Sequence, residues 1–159
     1  VFSDGNHNSN IMILGEAPGA QEDLIGKPFV GEAGKLLDKM LEAISLNRNK
    51  VYIANIIPWR PPSNRRPTEE EISTCLPFVL KHIEIIKPKA LMLLGSTATF
   101  ALLKNTESIS KIRGKWVNLT VNKINVSTIP TFHPAFLLRQ PGQKKHVWSD
   151  LQSLRDKIK

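Results

Sequence analysis

Two carboxylates and one histidine, carried by short motifs near opposite ends of the chain, are the residues best suited to chemistry. Glu16 and Glu22 lie in the segment Gly15–Asp23, and His133 lies in the segment Phe132–Arg139. A carboxylate can position water or stabilise a developing cation, and a histidine can donate a hydrogen bond to an oxygen that becomes negative. The three residues therefore suit cleavage of a bond that separates into a cation and an anion, as in the oxocarbenium-like route of glycoside hydrolysis.

Two further side chains suggest what is held next to that bond. The amide of Asn55 donates and accepts hydrogen bonds side by side, which matches the N3–H and O4 edge of uracil, and His133 can donate to its O2. Phe29 offers a flat face for stacking, a contact worth about 1–3 kcal/mol per base in single-stranded systems. With the apolar residues after His133, this layout suits a base that has been rotated out of a DNA duplex.

The elements that must position these residues follow a strand-then-helix rhythm. Apolar runs predict four buried strands, at residues 11–14, 51–57, 90–95 and 124–130. Helical spacing and capping signals predict helices over 33–45, from Thr68 to about 86, from Ser96 to about Leu103, and over 143–158. Thr68 and Glu71 form a capping-box signature, and Pro77 is expected to kink the helix that they begin.

This pattern predicts an α/β fold: a three-layer α/β/α sandwich with a central four-stranded, mostly parallel sheet, in a single domain spanning residues 1–159. In such sheets ligands bind outside the carboxyl ends of the strands. Gly15, Asn55 and His133 each lie at or close behind a predicted strand end. We therefore expect the three to meet at one edge of the sheet.

Composition restricts the class of protein. The net charge of +8 favours a polyanionic partner, although a basic protein without nucleic acid would show the same excess. Arg60, Arg65 and Arg66 in a proline-rich loop, with Arg139 behind His133, favour DNA. The Gly-rich loop lacks the Lys-Ser/Thr of a phosphate-binding P-loop, which excludes that class of nucleotide hydrolase.

The expected surroundings follow from what the chain lacks. No apolar run approaches the roughly 18 residues of a membrane span, and the first residues show no signal-peptide pattern. The single cysteine, Cys75, fits a reducing compartment. We expect a monomer in a bacterial cytoplasm, associated with the nucleoid when it is bound to DNA.

Together the motifs resemble those of uracil-DNA glycosylases, most closely the family-four type of bacteria and archaea. The matching segments are GEAPGAQED (15–23), GKPFVGEAGKLLD (26–38), VYIANIIPWRPPSNRRPTEEE (51–71) and FHPAFLLR (132–139). The resemblance covers nearly the whole chain. It implies a monofunctional glycosylase of base excision repair, which flips uracil out of DNA and hydrolyses its N-glycosidic bond without a metal in the chemical step.

The same resemblance implies roles for individual residues. Catalysis would fall to Glu16, Glu22 and His133, with Glu22 slightly favoured for positioning the water and Glu16 for organising the loop. The base would be bound by Gly15, Ala17, Phe29 and Asn55. DNA would be contacted by Arg60, Arg65, Arg66, Leu137, Leu138 and Arg139. Leu137, or alternatively Leu138, would be the wedge that fills the space left by the flipped base.

One departure from the family concerns its cofactor. Most family-four members hold a four-iron cluster on four cysteines; here Trp59 stands at one of those positions and only Cys75 remains. Residues upstream would add at most two ligands, and a tryptophan cannot ligate iron. We therefore expect no iron–sulfur cluster and no metal, with Trp59 packing around Cys75 and the Arg60–Arg66 loop.

Two alternatives stay open at this stage. The chain could be a relative with altered chemistry that acts on another deaminated base, or a non-catalytic DNA-binding module. The four polar candidates argue against the binding module, because a binder needs no such set: Glu16, Glu22, Asn55 and His133.

Overall fold

A computed structural model describes all residues from 1 to 159. Its centre is one mixed sheet of six strands: β1 (Asp4–Gly5), β2 (Ile11–Gly15), β3 (Tyr52–Asn55), β4 (Ala90–Leu94), β5 (Val117–Val121) and β6 (Ile124–Thr131). They lie in the order β1-β3-β2-β4-β6-β5. The four inner strands β3, β2, β4 and β6 are parallel, whereas β1 and β5 pair antiparallel at the two edges.

The expected strand count of four was therefore wrong, although the four predicted strands all exist. Both additional strands lie at the edges and lack the apolar run that marks a buried strand. The first has two residues, and the side chains of Val117–Val121 are mostly exposed. An edge strand with one solvated face carries a weak hydrophobic signal.

Seven helices accompany the strands, five of them between strands in the chain and two after β6. They are α1 (Ala20–Ile25), α2 (Glu32–Ala43), α3 (Glu69–Ile86), α4 (Ser96–Leu103), α5 (Ile109–Ile112), α6 (Pro134–Arg139) and α7 (Lys144–Lys157). The predicted capping box is present at α3, where Thr68 Oγ1 accepts from the Glu71 amide at 3.1 Å and a Glu71 carboxylate oxygen accepts from the Thr68 amide at 2.9 Å. This helix runs through Pro77 without a break. The helix cap predicted at Ser96 is wrong, because Gly95 occupies the cap position with a positive φ of 92°.

Helices cover both faces of the sheet, as the apolar strands predicted. Alternate residues of β2 belong to two separate apolar clusters: Ile11 and Ile13 face α2 and α7, while Met12 and Leu14 face α3 and α4. A strand buried on both sides must be apolar throughout, which explains its unbroken sequence. None of the helices has the length and apolar character needed to cross a membrane.

Candidate active site

Two adjoining cavities open at the carboxyl edge of the sheet. The smaller has a volume of about 200 Å³ and is walled by Glu22, Phe29, Asn55 and His133, among others. The larger, of about 410 Å³, is lined by Glu16, Arg66 and Arg139 and shares His133 with the first. The structure thus brings together candidates that lie far apart in sequence, at the edge where the strand-end rule predicted them. We call these cavities the base pocket and the outer cavity.

Asn55 presents an unpaired acceptor in the base pocket. Its Oδ1 is buried and has no hydrogen-bond partner in the protein. Most buried polar side-chain atoms have a partner, so an orphan at a cavity wall marks a place for a ligand donor. In the parallel register Asn55 lies beside Gly15, at the ends of β3 and β2.

Gly15 has no side chain, and this leaves room for Asn55 and Phe29 to pack closely over it. A Cβ at this position would lie 2.6 Å from Asn55 Oδ1 and nearer still to the ring of Phe29. Its carbonyl is engaged by the Ile56 amide at 2.9 Å, and it does not line either cavity. Ala17 lines both. We expected both Gly15 and Ala17 to contact the base. In the structure Ala17 lines the pocket, whereas Gly15 leaves room for Phe29 and Asn55 to pack over it.

The aromatic wall is formed by Phe29 and His133. Their ring centroids lie 5.5 Å apart with an interplanar angle of 29°. Phe29 is buried, with 5% of its surface exposed, and has a positive φ of 54°. A bulky residue in the left-handed region costs free energy, so the surroundings of Phe29 must hold it there.

Glu22 anchors the loop that carries Phe29. One of its carboxylate oxygens accepts from the amides of Val30 at 2.8 Å and Gly31 at 2.7 Å, and the other accepts from the Gly19 amide at 3.1 Å. Burial alone would raise the pKa of Glu22, but these backbone hydrogen bonds outweigh burial and lower it, so the group stays ionised. Glu22 therefore ties the backbone at Gly19 to the loop that carries Phe29.

Glu16 faces the outer cavity instead. Its Oε2 accepts from the Thr97 hydroxyl at 2.5 Å, and its Oε1 has no partner in the protein. Arg66 donates to the same Thr97 hydroxyl at 3.1 Å and to the Ser96 hydroxyl at 3.3 Å. Glu16 thus keeps a free carboxylate oxygen beside the cavity, whereas both oxygens of Glu22 are engaged.

His133 is held as a neutral hydrogen-bond donor. Its Nδ1 accepts from the Ala135 amide at 3.0 Å, so the ring proton lies on Nε2. Burial lowers the pKa of His133 to about 4, the positive charge of Arg139 adds to that shift, and Glu22 opposes it. The imidazole is therefore uncharged at neutral pH and offers one N–H.

The two candidate wedge residues, consecutive in α6, differ in exposure. Leu137 is 1% exposed and packs in the core, while Leu138 is 45% exposed. Our first choice of Leu137 does not agree with this burial, because a wedge must be free to enter the duplex. The side chain available is Leu138, followed by the exposed Arg139.

The comparisons with known proteins agree with this geometry. A sequence model of the Uracil DNA glycosylase superfamily matches residues 2–152. The chain belongs to this superfamily. It is 40% identical to a type-4 uracil-DNA glycosylase of Saccharolobus solfataricus, over 99% of this chain and 76% of that protein. Identity to the type-4 enzyme of Thermotoga maritima is 41%, over 100% of this chain and 83% of that protein.

Within this glycosylase superfamily member, the proline-rich loop is held by an ion pair. Arg65 donates to Glu71 at 2.6 and 3.2 Å and to the Arg66 carbonyl at 3.0 Å, and Trp59 Nε1 donates to Glu71 at 3.4 Å. The bond to Arg65, with the Thr68 amide, lowers the pKa of Glu71 to about 2. Trp59 is 43% exposed, so it stands at the loop surface and does not form a packed replacement core.

The arginines expected to contact DNA are not equivalent. Arg66 and Arg139 line the outer cavity, whereas Arg60 and Arg65 do not. Arg60 donates to Asn64 at 2.7 Å within the loop, and Arg65 is committed to Glu71. The sequence grouped the three loop arginines because they are neighbours, but a turn through Ser63 and Asn64 at positive φ sends their side chains to different partners.

Reasoning from sequence missed Thr97 and Arg48. Thr97 is 3% exposed and lies just beyond the carboxyl end of β4, so the strand-end rule applied to that strand would have found it. Arg48 lies between α2 and β3, outside every motif. No pattern in the sequence marks it.

Proposed function

We propose that this protein is a monofunctional uracil-DNA glycosylase that hydrolyses the N-glycosidic bond of a flipped-out uracil. Its similarity at about 40% identity to several type-4 uracil-DNA glycosylases, over nearly the whole chain, supports the enzyme class. The unpaired Oδ1 of Asn55 in the base pocket supports uracil over cytosine, because uracil N3–H supplies the donor that this acceptor lacks, whereas cytosine N3 has no hydrogen.

In the proposed complex the base pocket forms hydrogen bonds with the edge of uracil and stacks on one of its faces. Asn55 accepts from N3–H and donates to O4, while cytosine presents the reversed pattern. The ring of Phe29 stacks on the base, and His133 Nε2–H donates to O2. These contacts hold the base so that the sugar and its phosphates extend towards the outer cavity, with Arg66 and Arg139.

Bond cleavage then separates charge between the two cavities. The electron pair of the C1′–N1 bond leaves with the base, and the N–H of His133 stabilises the negative charge that develops at O2. The sugar becomes an oxocarbenium-like cation, which a nearby carboxylate favours. Water adds its oxygen to C1′ and releases a proton, and the base is finally protonated at N1.

Glu16 is our candidate for positioning that water. Its Oε1 is free beside the outer cavity, and Thr97 fixes its other oxygen. Glu22 bounds the base pocket but is saturated by backbone amides, so we assign it the loop that carries Phe29. This reverses the order in which the sequence alone ranked the two carboxylates.

Two glutamine variants distinguish these roles. Glu16→Gln is expected to lower kcat by about 10²-fold with little change in the melting temperature, since a general base or water-positioning group contributes about that much. Glu22→Gln is expected to lower the melting temperature by about 5–10 °C, because it weakens hydrogen bonds that are charge-assisted. Steady-state kinetics and thermal unfolding measure both. If Glu22→Gln lost activity alone and Glu16→Gln lost stability alone, the assignment would have to be exchanged.

We also propose that the enzyme works without an iron–sulfur cluster. The residues between 1 and 159 do not fit one, since Cys75 is their one thiolate and Trp59, which cannot ligate iron, stands where the resemblance places another ligand. Cys75 lies on the buried side of α3 in an apolar cluster, and burial raises the pKa of its thiol. No group of three or more His, Cys, Asp or Glu side chains is arranged to hold a metal. The single domain, the monomeric state and the cytoplasmic location remain predictions.

The deciding experiment measures excision from a labelled oligonucleotide that carries one uracil, in the presence of a chelator. Wild type is expected to leave an alkali-labile abasic site, and Asn55→Ala is expected to lose about 10²–10³-fold in kcat/KM because its base-reading amide is gone. The iron content of the purified protein is measured on the same sample. Binding to the uracil-containing DNA without any cleavage would favour the non-catalytic module. Cleavage only at another deaminated base would favour the altered relative.

A further inference from the structure

The backbone around Phe29 is held in a strained conformation from outside the pocket. Phe29 has a positive φ of 54°, and its carbonyl lies so close to α2 that any Cβ at Gly34 would overlap it. Glu22 accepts the amides of the next two residues, Val30 and Gly31. Those bonds fix the N–H groups of the segment, but they leave its carbonyl oxygens to another partner.

That partner is Arg48. Its guanidinium donates from Nη1 to the Pro28 carbonyl at 2.9 Å and from Nη2 to the Phe29 carbonyl. Two carboxylates hold the guanidinium in turn: Asp38 accepts from Nε at 2.7 Å and Asp4 accepts from Nη1 at 3.0 Å. One side chain therefore joins β1, α2 and the loop that carries the aromatic wall.

The chemistry of this contact needs arginine. Two consecutive carbonyls and two carboxylates require several donors in one rigid plane, which a guanidinium supplies and an ammonium on a flexible stem does not. The Arg48 side chain is 21% exposed, and it lines neither the base pocket nor the outer cavity. It can therefore influence a bound base only through the loop.

We propose that Arg48 is a positioning residue for base stacking, which holds the Phe29 ring at the wall of the base pocket through the carbonyls of Pro28 and Phe29. The inference rests on the proposed glycosylase function, because it gives Arg48 a part in that reaction. It extends the function to a residue outside every motif of the sequence. Glu22 and Arg48 then act as a pair, one fixing the amides of the loop and the other its carbonyls.

A double-mutant cycle tests whether Arg48 acts through Phe29. Arg48→Lys keeps the positive charge but loses the planar fork, and Phe29→Leu keeps apolar bulk but removes the aromatic face. Each single variant is expected to lower kcat/KM by about 10-fold or more, since loss of a base–aromatic stack costs about that much. The double variant is expected to lie within about 2-fold of Phe29→Leu alone. If the two losses multiply, the proposal is overturned.

Arg113→Lys is the matched control. Arg113 has the same side-chain exposure of 21% and a two-point ion pair, donating to Asp150 at 2.7 and 3.1 Å, but it does not touch the Phe29 loop. Combined with Phe29→Leu, its effect is expected to multiply. An Arg113 variant that showed the same lack of additivity would mean that the cycle reports lost stability, and this would count against the proposal.

A second readout needs no catalysis. Protein labelled with 4-fluorophenylalanine gives one fluorine NMR signal for Phe29, identified by its absence in Phe29→Leu. Arg48→Lys is expected to shift or broaden that signal, whereas Arg113→Lys is expected to leave it in place; an unchanged signal in Arg48→Lys overturns the proposal. If wild type excises no uracil, the glycosylase function fails, and the NMR comparison still decides whether Arg48 positions Phe29.

Discussion

Replacing His133 with alanine is expected to reduce kcat for uracil excision by about 10²–10³-fold, the usual effect of removing one donor to a developing anion. DNA binding is expected to change little, because His133 forms a wall of the base pocket, whereas Leu138 and Arg139 are the exposed residues available to the DNA. Single-turnover excision and DNA titration on the same protein separate the two effects. Equal loss of excision and binding would show that the imidazole is structural.

The same variant gives a pH signature. The pKa of His133 is about 4 in the folded protein, below its ordinary value of 6.5. Between those values the unfolded chain binds a proton that the folded chain does not, so this group's contribution to stability is complete above pH 6.5 and falls as the pH decreases towards 4. Wild type is expected to lose more stability than His133→Ala across that interval, measured by denaturant unfolding. Parallel losses in the two proteins would contradict the assignment.

Gly15→Ala is expected to lower kcat/KM by about 10²-fold or more. The added methyl group would enter the space between Asn55 and Phe29, so the base-reading amide and the stacking ring could not both keep their positions. Displacements of about 1 Å in a binding site can cost that much. Kinetics and thermal unfolding are measured together, with the loss of activity expected to exceed what the fraction unfolded explains.

Gly142→Ala is the control for this substitution, because no atom lies within 4 Å of a Cβ added there. It is expected to keep full activity and stability. Should Gly15→Ala behave like Gly142→Ala, the close packing of Phe29 and Asn55 over Gly15 would not be needed for excision.

The parallel core and the place of the site were accessible from sequence for a definite physical reason. Strands buried on both faces must be apolar throughout, and the carboxyl ends of parallel strands share an edge, so Asn55 and His133 could be brought together without coordinates. The two edge strands could not be predicted from the sequence, since neither carries a continuous apolar run.

The different roles of the two carboxylates could not be predicted from the sequence. Both Glu16 and Glu22 lie in one motif, and sequence does not tell which one faces backbone amides. That choice depends on the path of the loop from Pro28 to Gly31, which in turn depends on Arg48 and Gly34. Similarly, the sequence does not tell which of Leu137 and Leu138 is buried, because this depends on how α6 packs on the core.

One short helix links the chemistry to the opening of the duplex. His133 caps α6 through its own ring nitrogen, and Leu138 lies on the exposed side of the same helix. Because α6 has only six residues, the proposed wedge lies five positions after the imidazole, and a displacement of this helix on DNA would shift both. We therefore expect base-pair opening and placement of the imidazole to be coupled. Recognition of damage would then depend on how well the flipped base fits the base pocket.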